Sequence, residues 1–296
     1  MRAPRVLVVG DLLYDLLAKA EGEIVFGTDT FVPIRVAAGG SGANAAAWLA
    51  SSGVETHFVG RVGDDVFGAF LEGEMERAGV ASHLARDASL ATGKVFVLVD
   101  GAGERTMITD RGASEALNPN DLPRTLFTEG HLHLSGYTLS GGSRRRTALE
   151  ALRLAREAGM TVSVDPSSAP LLRSVGPERF LDWTRGADLL FPNLTEGETL
   201  TGEQDPDLIL KKLLSLYPAV VLKLGPEGAV YADGTGASLR VPATADRAED
   251  TTGAGDAFSA GFLAAWLDKE QPAGTMRRGA ETAARAVGRV GARPEA

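Results

Sequence analysis

Asp250-Thr-Thr-Gly-Ala-Gly-Asp256-Ala-Phe-Ser-Ala-Gly-Phe-Leu-Ala-Ala-Trp266 is the stretch on which the reading of this chain turns. It opens with an acid, two hydroxyls and a Gly-Ala-Gly turn, then becomes almost wholly apolar from Ala257 to Leu267. The length and alanine content of that run predict a buried helix. Gly253 and Gly255 carry no Cβ, so the backbone can turn tightly there and approach a ligand. A glycine-rich turn feeding a helix leaves backbone N–H groups unpaired, and with the helix dipole they make an anion site. Asp256 lies in that electropositive mouth. A carboxylate there can take a proton from a hydroxyl while the N–H groups hold the charge of a transferring phosphoryl group. The competing reading is an N-terminal cap, because Asp is favoured in a first turn.

Composition narrows the classes. The chain has 296 residues, 44% hydrophobic and 23% charged, which are ordinary globular values. The absence of Cys excludes disulfides, thiolate metal sites and a Cys nucleophile. Met1-Arg-Ala-Pro-Arg5 does not resemble a signal peptide, and no apolar run approaches the roughly 20 residues of a membrane span. The expectation is a cytoplasmic protein without a membrane partner. The formal net charge of −9 argues against nucleic acid as the main partner.

Working outward, short apolar strands alternate with helical stretches. Arg5-Val-Leu-Val-Val-Gly10 reads as a buried strand, with Asp11 and Asp15 just past its C-terminal edge as acceptors for ligand hydroxyls. Ala38-Gly-Gly-Ser-Gly-Ala-Asn44 is a second glycine turn before an alanine-rich helix, where Asn44 either holds a ligand hydroxyl or caps the helix. It lacks the spacing of a dinucleotide fingerprint, and the chain has no P-loop. Residues 22–36, 92–99 and 104–109 alternate like exposed strands outside the main rhythm. His131-Leu-His-Leu-Ser135, Thr161-Val-Ser-Val-Asp165, Asp188-Leu-Leu-Phe-Pro192 and Ala219-Val-Val-Leu-Lys223 read as strands separated by helices. Such β–α units predict a mostly parallel sheet with helices on both faces. Each candidate acid or amide falls at a strand's C-terminal end, on one rim. His131 and His133 share a strand face, but no third metal ligand is evident nearby. No Gly-x-Ser-x-Gly elbow supports a serine hydrolase. The tail from Arg293 to Ala296 reads as loosely ordered.

With these residues in hand, the chain resembles the ribokinase-like (pfkB) family of carbohydrate kinases over nearly its full length. Gly39-Gly-Ser-Gly-Ala-Asn44 is similar to that family's first signature and Asp250-Thr-Thr-Gly-Ala-Gly-Asp256 to its second. Gly60-Arg-Val-Gly-Asp-Asp65-Val-Phe-Gly68 and Asn193-Leu-Thr-Glu196 are further family-like segments. The resemblance implies one three-layer α/β domain over 1–296, with a small β-strand lid inserted at about 16–37 and 92–111. It implies an ATP-dependent sugar kinase acting on a primary hydroxyl of a small sugar or sugar acid, of ribose, fructose or 2-keto-3-deoxygluconate type. Asp256 would be the general base, and the amides of Gly253, Ala254 and Gly255 the anion hole. Asp15, Gly39, Gly40, Asn44 and Arg111 would hold the sugar. Asn193, Lys223, Gly225 and Gly228 would face the nucleotide. Glu196 would hold Mg²⁺ through water. Asp250 and Thr252, with carbonyls near Val287 and Gly291, would line a site for a monovalent cation such as K⁺. The lid would pair two subunits into a homodimer. Ser41, Ser135 and Glu281 depart from the pattern of ribokinases proper, which leaves the sugar and the base open. Alternatives are a nucleoside kinase, with Tyr14, Phe26 or Phe31 as an aromatic clamp, a catalytically silent ligand-binding homologue, and a metal hydrolase using the His pair.

Overall fold

The computed structural model describes residues 5–20, 22, 27–99, 105–245, 249–289 and 291–295. In chain order its elements begin β1 (Arg5–Val9), β2 (Leu13–Lys19), β3 (Ile34–Gly39), α1 (Ser41–Ser51), β4 (Glu55–Gly63), α2 (Val66–Arg77), β5 (Ala81–Asp87), β6 (Thr92–Val99) and β7 (Arg105–Gly112). The regular part follows: β8 (His131–Ser135), α3 (Gly142–Glu157), β9 (Thr161–Asp165), α4 (Ala169–Val175), α5 (Pro177–Thr184), β10 (Leu189–Leu190), α6 (Leu194–Thr201), α7 (Pro206–Leu213) and β11 (Ala219–Lys223). The described elements end with β12 (Ala229–Asp233), β13 (Ser238–Val241), α8 (Ala254–Leu267) and α9 (Pro272–Val287).

The large sheet runs β13-β12-β11-β10-β9-β8-β1-β4-β5. All its pairings are parallel except those of β12, which joins β11 and β13 antiparallel. Period-2 alternation in β1 divides the core. Val6 and Val8 pack with the apolar faces of α1, α8 and α9, whereas Leu7 and Val9 pack with α3 to α7. The result is three layers, helix–sheet–helix, as the β–α rhythm predicted. α8 is apolar nearly all round because it is enclosed between α1 and α9. Gly10 and Gly42 let α1 press on the end of β1; a Cβ on either would meet the other residue's Cα at 2.7 Å.

A second, four-stranded sheet runs β3-β2-β6-β7. Its outer pairings are antiparallel and β2–β6 is parallel. Two sequence readings change here. Residues 27–33 are not strand, since β3 starts only at Ile34, and residues 23–26, with Phe26, lie outside the described residues. Asp15 is not in a loop past β1 but within β2, so its side chain belongs to the small sheet. The reason is that the chain turns within Gly10–Leu12 and immediately extends again.

Candidate active site

The predicted base is where the glycine turn puts it. Gly253, at φ 73°, is the N-cap of α8, and Asp256 lies in the first turn. The left-handed backbone at Gly253 suits only a residue without Cβ, and a Cβ there would also strike Ala292 at under 3 Å. Asp256 caps nothing: the N-terminus of α8 has no side-chain cap hydrogen bond. Instead its carboxylate is held by two side chains from α1. Ser41 Oγ donates to Oδ1 at 2.8 Å, and Asn44 Nδ2 donates to Oδ2 at 3.0 Å. Burial and the nearby Asp165 push its pKa up to about 7, against the two donors and Lys223. A carboxylate so tuned is half-ionised near neutral pH, as a base should be.

Asp256 opens into a cavity of about 400 Å³. From the first glycine turn, Gly40, Ser41 and Asn44 line it, and from the small sheet, Asp15 and Arg111. Asn193, Glu196, Lys223 and Gly225 line the opposite part, with Thr252, Gly253 and Gly255 between. Four predicted residues, Gly39, Ala254, Gly228 and Asp250, do not line it. Gly39 and Gly228 serve packing: a Cβ on Gly39 would overlap the Asp15 carboxylate, and one on Gly228 would overlap the Val241 carbonyl. Asp250 ties the entry of α8 together, accepting from the Thr252 amide and hydroxyl and, through Oδ2, from the Gly291 amide at 3.0 Å.

Charge is concentrated around this cavity. Asp11 and Asp15 each have one buried carboxylate oxygen without a protein partner, the arrangement expected of acceptors awaiting hydroxyls. Burial pushes the Asp15 pKa up to about 7, Arg293 opposing and Asp11 assisting. Arg111 Nη1 donates to Asp11 Oδ2 at 2.9 Å, and the guanidinium lies over the Tyr137 ring. Arg111 thus lines the cavity while paired with Asp11. Asn193 and Glu196 cap α6 reciprocally: the Asn193 amide donates to Glu196 Oε2, and the Glu196 amide to Asn193 Oδ1. That capping box was legible in Asn-x-x-Glu but went unread. Burial and Asp165 raise the Glu196 pKa. Lys223 Nζ pairs with Asp165 Oδ2 at 2.7 Å. Burial opposes its charge, yet Asp165 and Glu196 outweigh burial and its pKa is raised. A Cβ on Gly255 would sit 3.3 Å from Lys223 Nζ, so this glycine keeps the ammonium next to the helix mouth.

Ser41, Asp165 and Arg293 escaped the choice of site residues. Ser41 stands out in the sequence only as a departure from the pattern of ribokinases proper, and nothing in the sequence marks Arg293. Arg293, read as the start of a loose tail, is tied down: it donates to Asn44 Oδ1 and the Gly39 carbonyl, and Trp48 Nε1 donates to the preceding Ala292 carbonyl. The His pair is a core feature, with His131 bonded to Thr161 and Ser163 and His133 to Ser163.

The pfkB family carbohydrate kinase domain matches residues 3–296. This chain belongs to that family. It is 33% identical over 297 residues to an ATP-dependent ribose-1-phosphate kinase of Halopiger xanaduensis, covering 98% of this chain and 94% of that protein. It is 33% identical over 254 residues to the 2-dehydro-3-deoxygluconokinase of Bacillus subtilis, covering 81% of this chain and 77% of that protein. Its fold matches the crystal structure of adenosine kinase from Sinorhizobium meliloti with a TM-score of 0.90 at 26% identity, over 99% of this chain and 96% of that one. The glycine-turn signatures thus sit in a carbohydrate kinase of ribokinase-like fold.

Proposed function

We propose that this ATP-dependent carbohydrate kinase phosphorylates a primary hydroxyl of a small sugar, sugar acid or sugar phosphate bound between the small sheet and the mouth of α8. The observation that carries the reading is the carboxylate of Asp256. It is aimed by Ser41 and Asn44 at a cavity whose other side is Asn193, Glu196 and Lys223. The acceptor hydroxyl would lie against Asp256, with other hydroxyls of the sugar donating to Asp11 and Asp15 and bonded to Asn44. As the hydroxyl oxygen forms its bond to the γ-phosphorus, its proton passes to Asp256 and the bond to the β–γ bridging oxygen breaks, releasing ADP. The amides of Gly253 and Gly255 and the Lys223 ammonium would stabilise charge on the transferring group, whereas the Ala254 amide is bonded to the Thr251 carbonyl.

Among the described residues no cluster of three or more His, Cys, Asp or Glu is arranged to hold a metal. Mg²⁺ would therefore arrive with the nucleotide, with Glu196 reaching it through water; the surplus negative charge of Glu196 and Asp165 suits a divalent cation. Bound Mg²⁺ supplies neutralisation of the phosphate charge. For K⁺ the fit is poorer: both Asp250 oxygens and the Val287 carbonyl already accept N–H groups, which favours a structural clasp.

A substrate panel of ribose, ribose 1-phosphate, fructose, 2-keto-3-deoxygluconate and adenosine tests the reading. ATP consumption with at least one sugar and not with adenosine is expected. Turnover of adenosine alone would move the assignment to a nucleoside kinase. Against that alternative, Tyr14 packs edge-on against Phe67 and Phe70, and Phe31 is exposed, so neither clamps a base at the cavity.

We also infer a cytoplasmic homodimer through the small sheet. Among the described residues no helix is long and apolar enough to cross a membrane. Register places Val36, Leu16, Phe96 and Ile108 in one row across the four strands, on the face opposite Asp15 and Val95. Val36 and Ile108 are at least half exposed, with Ile34 beside them. An apolar sheet face of this kind suits a second copy of itself. Sedimentation at micromolar concentration should give a dimer that Ile108→Glu converts to monomer; a monomeric wild type would end this inference.

A further inference from the structure

The C-terminal tail reaches back to the sugar side of the site. Arg293 Nε donates to Asn44 Oδ1 at 3.1 Å, Nη2 donates to the Gly39 carbonyl at 2.8 Å, and Nη1 contacts Met75 Sδ at 3.4 Å. Two further bonds anchor the residues just before Arg293. Trp48 Nε1 of α1 holds the Ala292 carbonyl at 2.9 Å, and Asp250, before α8, holds the Gly291 amide.

Asn44 stands between Arg293 and the base. An asparagine amide has one acceptor end and one donor end, whereas a guanidinium only donates. Arg293 can therefore face only Oδ1, which leaves the NH₂ group for Asp256 Oδ2. Flipping the amide would set Oδ1 against a carboxylate and NH₂ against a guanidinium, two repulsions in a partly buried site. The flipped amide would also accept from, and so favour, the protonated form of Asp256.

We propose that Arg293 is a positioning residue for phosphoryl transfer: it fixes the Asn44 amide so that Asp256 is held as an ionised acceptor, and it pins the Gly39–Gly40 turn against which the sugar binds. The proposal rests on the kinase reading above for the role of Asp256, but its geometry does not. The charges around this relay come from several elements. Asp256 is faced by Ser41 and Asn44 of α1, Asp165 of β9, Lys223 of β11, Glu196 of α6 and Tyr137 after β8. Arg293 is faced by Asp15 of β2, Glu74 of α2 and Asp256, and burial pulls its own pKa down to about 10. It stays cationic at neutral pH.

The test compares carboxyl ¹³C NMR titrations of the full chain without substrate, wild type against Arg293→Met, with the Asp256 signal identified by its loss in Asp256→Asn. The Asp256 titration should move up by about one pH unit in Arg293→Met, the low end of the effect of removing a nearby opposite charge. Arg293→Gln keeps a donor for Asn44 Oδ1 without the charge and should move it less; this variant carries the test if the methionine variant does not fold. The acid limb of kcat/KM should shift with the titration. The rate loss would be about tenfold at pH 6.5 and largely recovered at pH 8.5, with KM for ATP unchanged. An Asp256 titration unchanged in both variants, or a rate loss equal at every pH, overturns the proposal. Absence of kinase turnover in the wild type would instead sink the kinase reading and leave the titration readable.

Discussion

Two groups of buried titratable side chains lie in this molecule, and burial pushes their pKa values in opposite directions with opposite consequences. His131 and His133 are buried in β8, with both ring nitrogens of His131 bonded to Thr161 and Ser163 and Nδ1 of His133 bonded to Ser163. Burial pushes their pKa values down, to about 3 and about 4, so both are neutral. Asp11, Asp15 and Asp256 line the cavity instead, and burial pushes Asp15 and Asp256 up to about 7. Their oxygens are not all matched: Asp11 and Asp15 each keep an oxygen without a partner. Where local strands supply the partners, a buried polar group is architecture; where partners are lacking at a cavity, it is a binding or reacting group. The buried imidazole pair has three of its four ring nitrogens bonded to Thr161 and Ser163, and among the described residues no third ligand joins it, which weighs against the hydrolase reading.

Breaking the rim should cost the most. Asp256→Asn removes the base and should lower kcat by about 10²–10⁴-fold, the usual span for general-base loss. It should not lower Tm at pH 8, because it relieves a buried carboxylate repelled by Asp165. In the wild type, kcat/KM should rise with pH through about 7 as Asp256 ionises. A mutant with near-wild-type turnover would erase the distinction between the two groups.

Breaking the strand pair should do the reverse. His133→Leu deprives Ser163 of one partner and should cost about 1–3 kcal/mol of stability, measured by denaturant unfolding, with kcat within about twofold of wild type. The two groups also pull stability in different pH windows. Folded imidazoles of His131 and His133 stay neutral to about pH 4, whereas unfolded ones protonate below about 6.5. Their contribution is thus lost as pH falls from about 6.5 towards 4. Asp15 and Asp256 bind protons more tightly folded than unfolded, so they destabilise as pH rises from about 4 through 7. The smaller effect to look for is in the slope: His133→Leu should flatten the acid side of the stability profile, and Asp256→Asn the neutral side. Identical profiles for the two variants would show that the contrast is not electrostatic.

Much of the fold was legible because β1, β9 and β11 are short, mostly apolar runs and β8 is of the same length, and the parallel sheet follows from their alternation with helices. β2 was missed because Leu13-Tyr-Asp-Leu-Leu-Ala-Lys19 mixes charge with apolar residues without a period-2 pattern, Leu13 and Asp15 lining the cavity from one face. β5 was missed because Ala81-Ser-His-Leu-Ala-Arg-Asp87, at the edge of the large sheet, is mostly half-buried. In the site, Asp256 and Asn44 stood out through their glycine turns. Ser41 and Arg293 have no comparable local signal, since a Ser in a glycine turn and an Arg near a C-terminus are ordinary.

The sequence by itself determined the chemistry of single turns. Gly-Ala-Gly-Asp before an apolar run must put a carboxylate at an electropositive helix start, because the glycines, the free N–H groups and the acid are contiguous. Only the tertiary structure decided which groups face that carboxylate. Ser41 and Asn44 are more than 200 residues away along the chain, and Arg293 bonds Asn44 from a position more than 200 residues further on. They meet because α1 and α8 pack side by side with the tail tucked against both. Such convergence depends on the shape of the whole core, which no local spacing encodes.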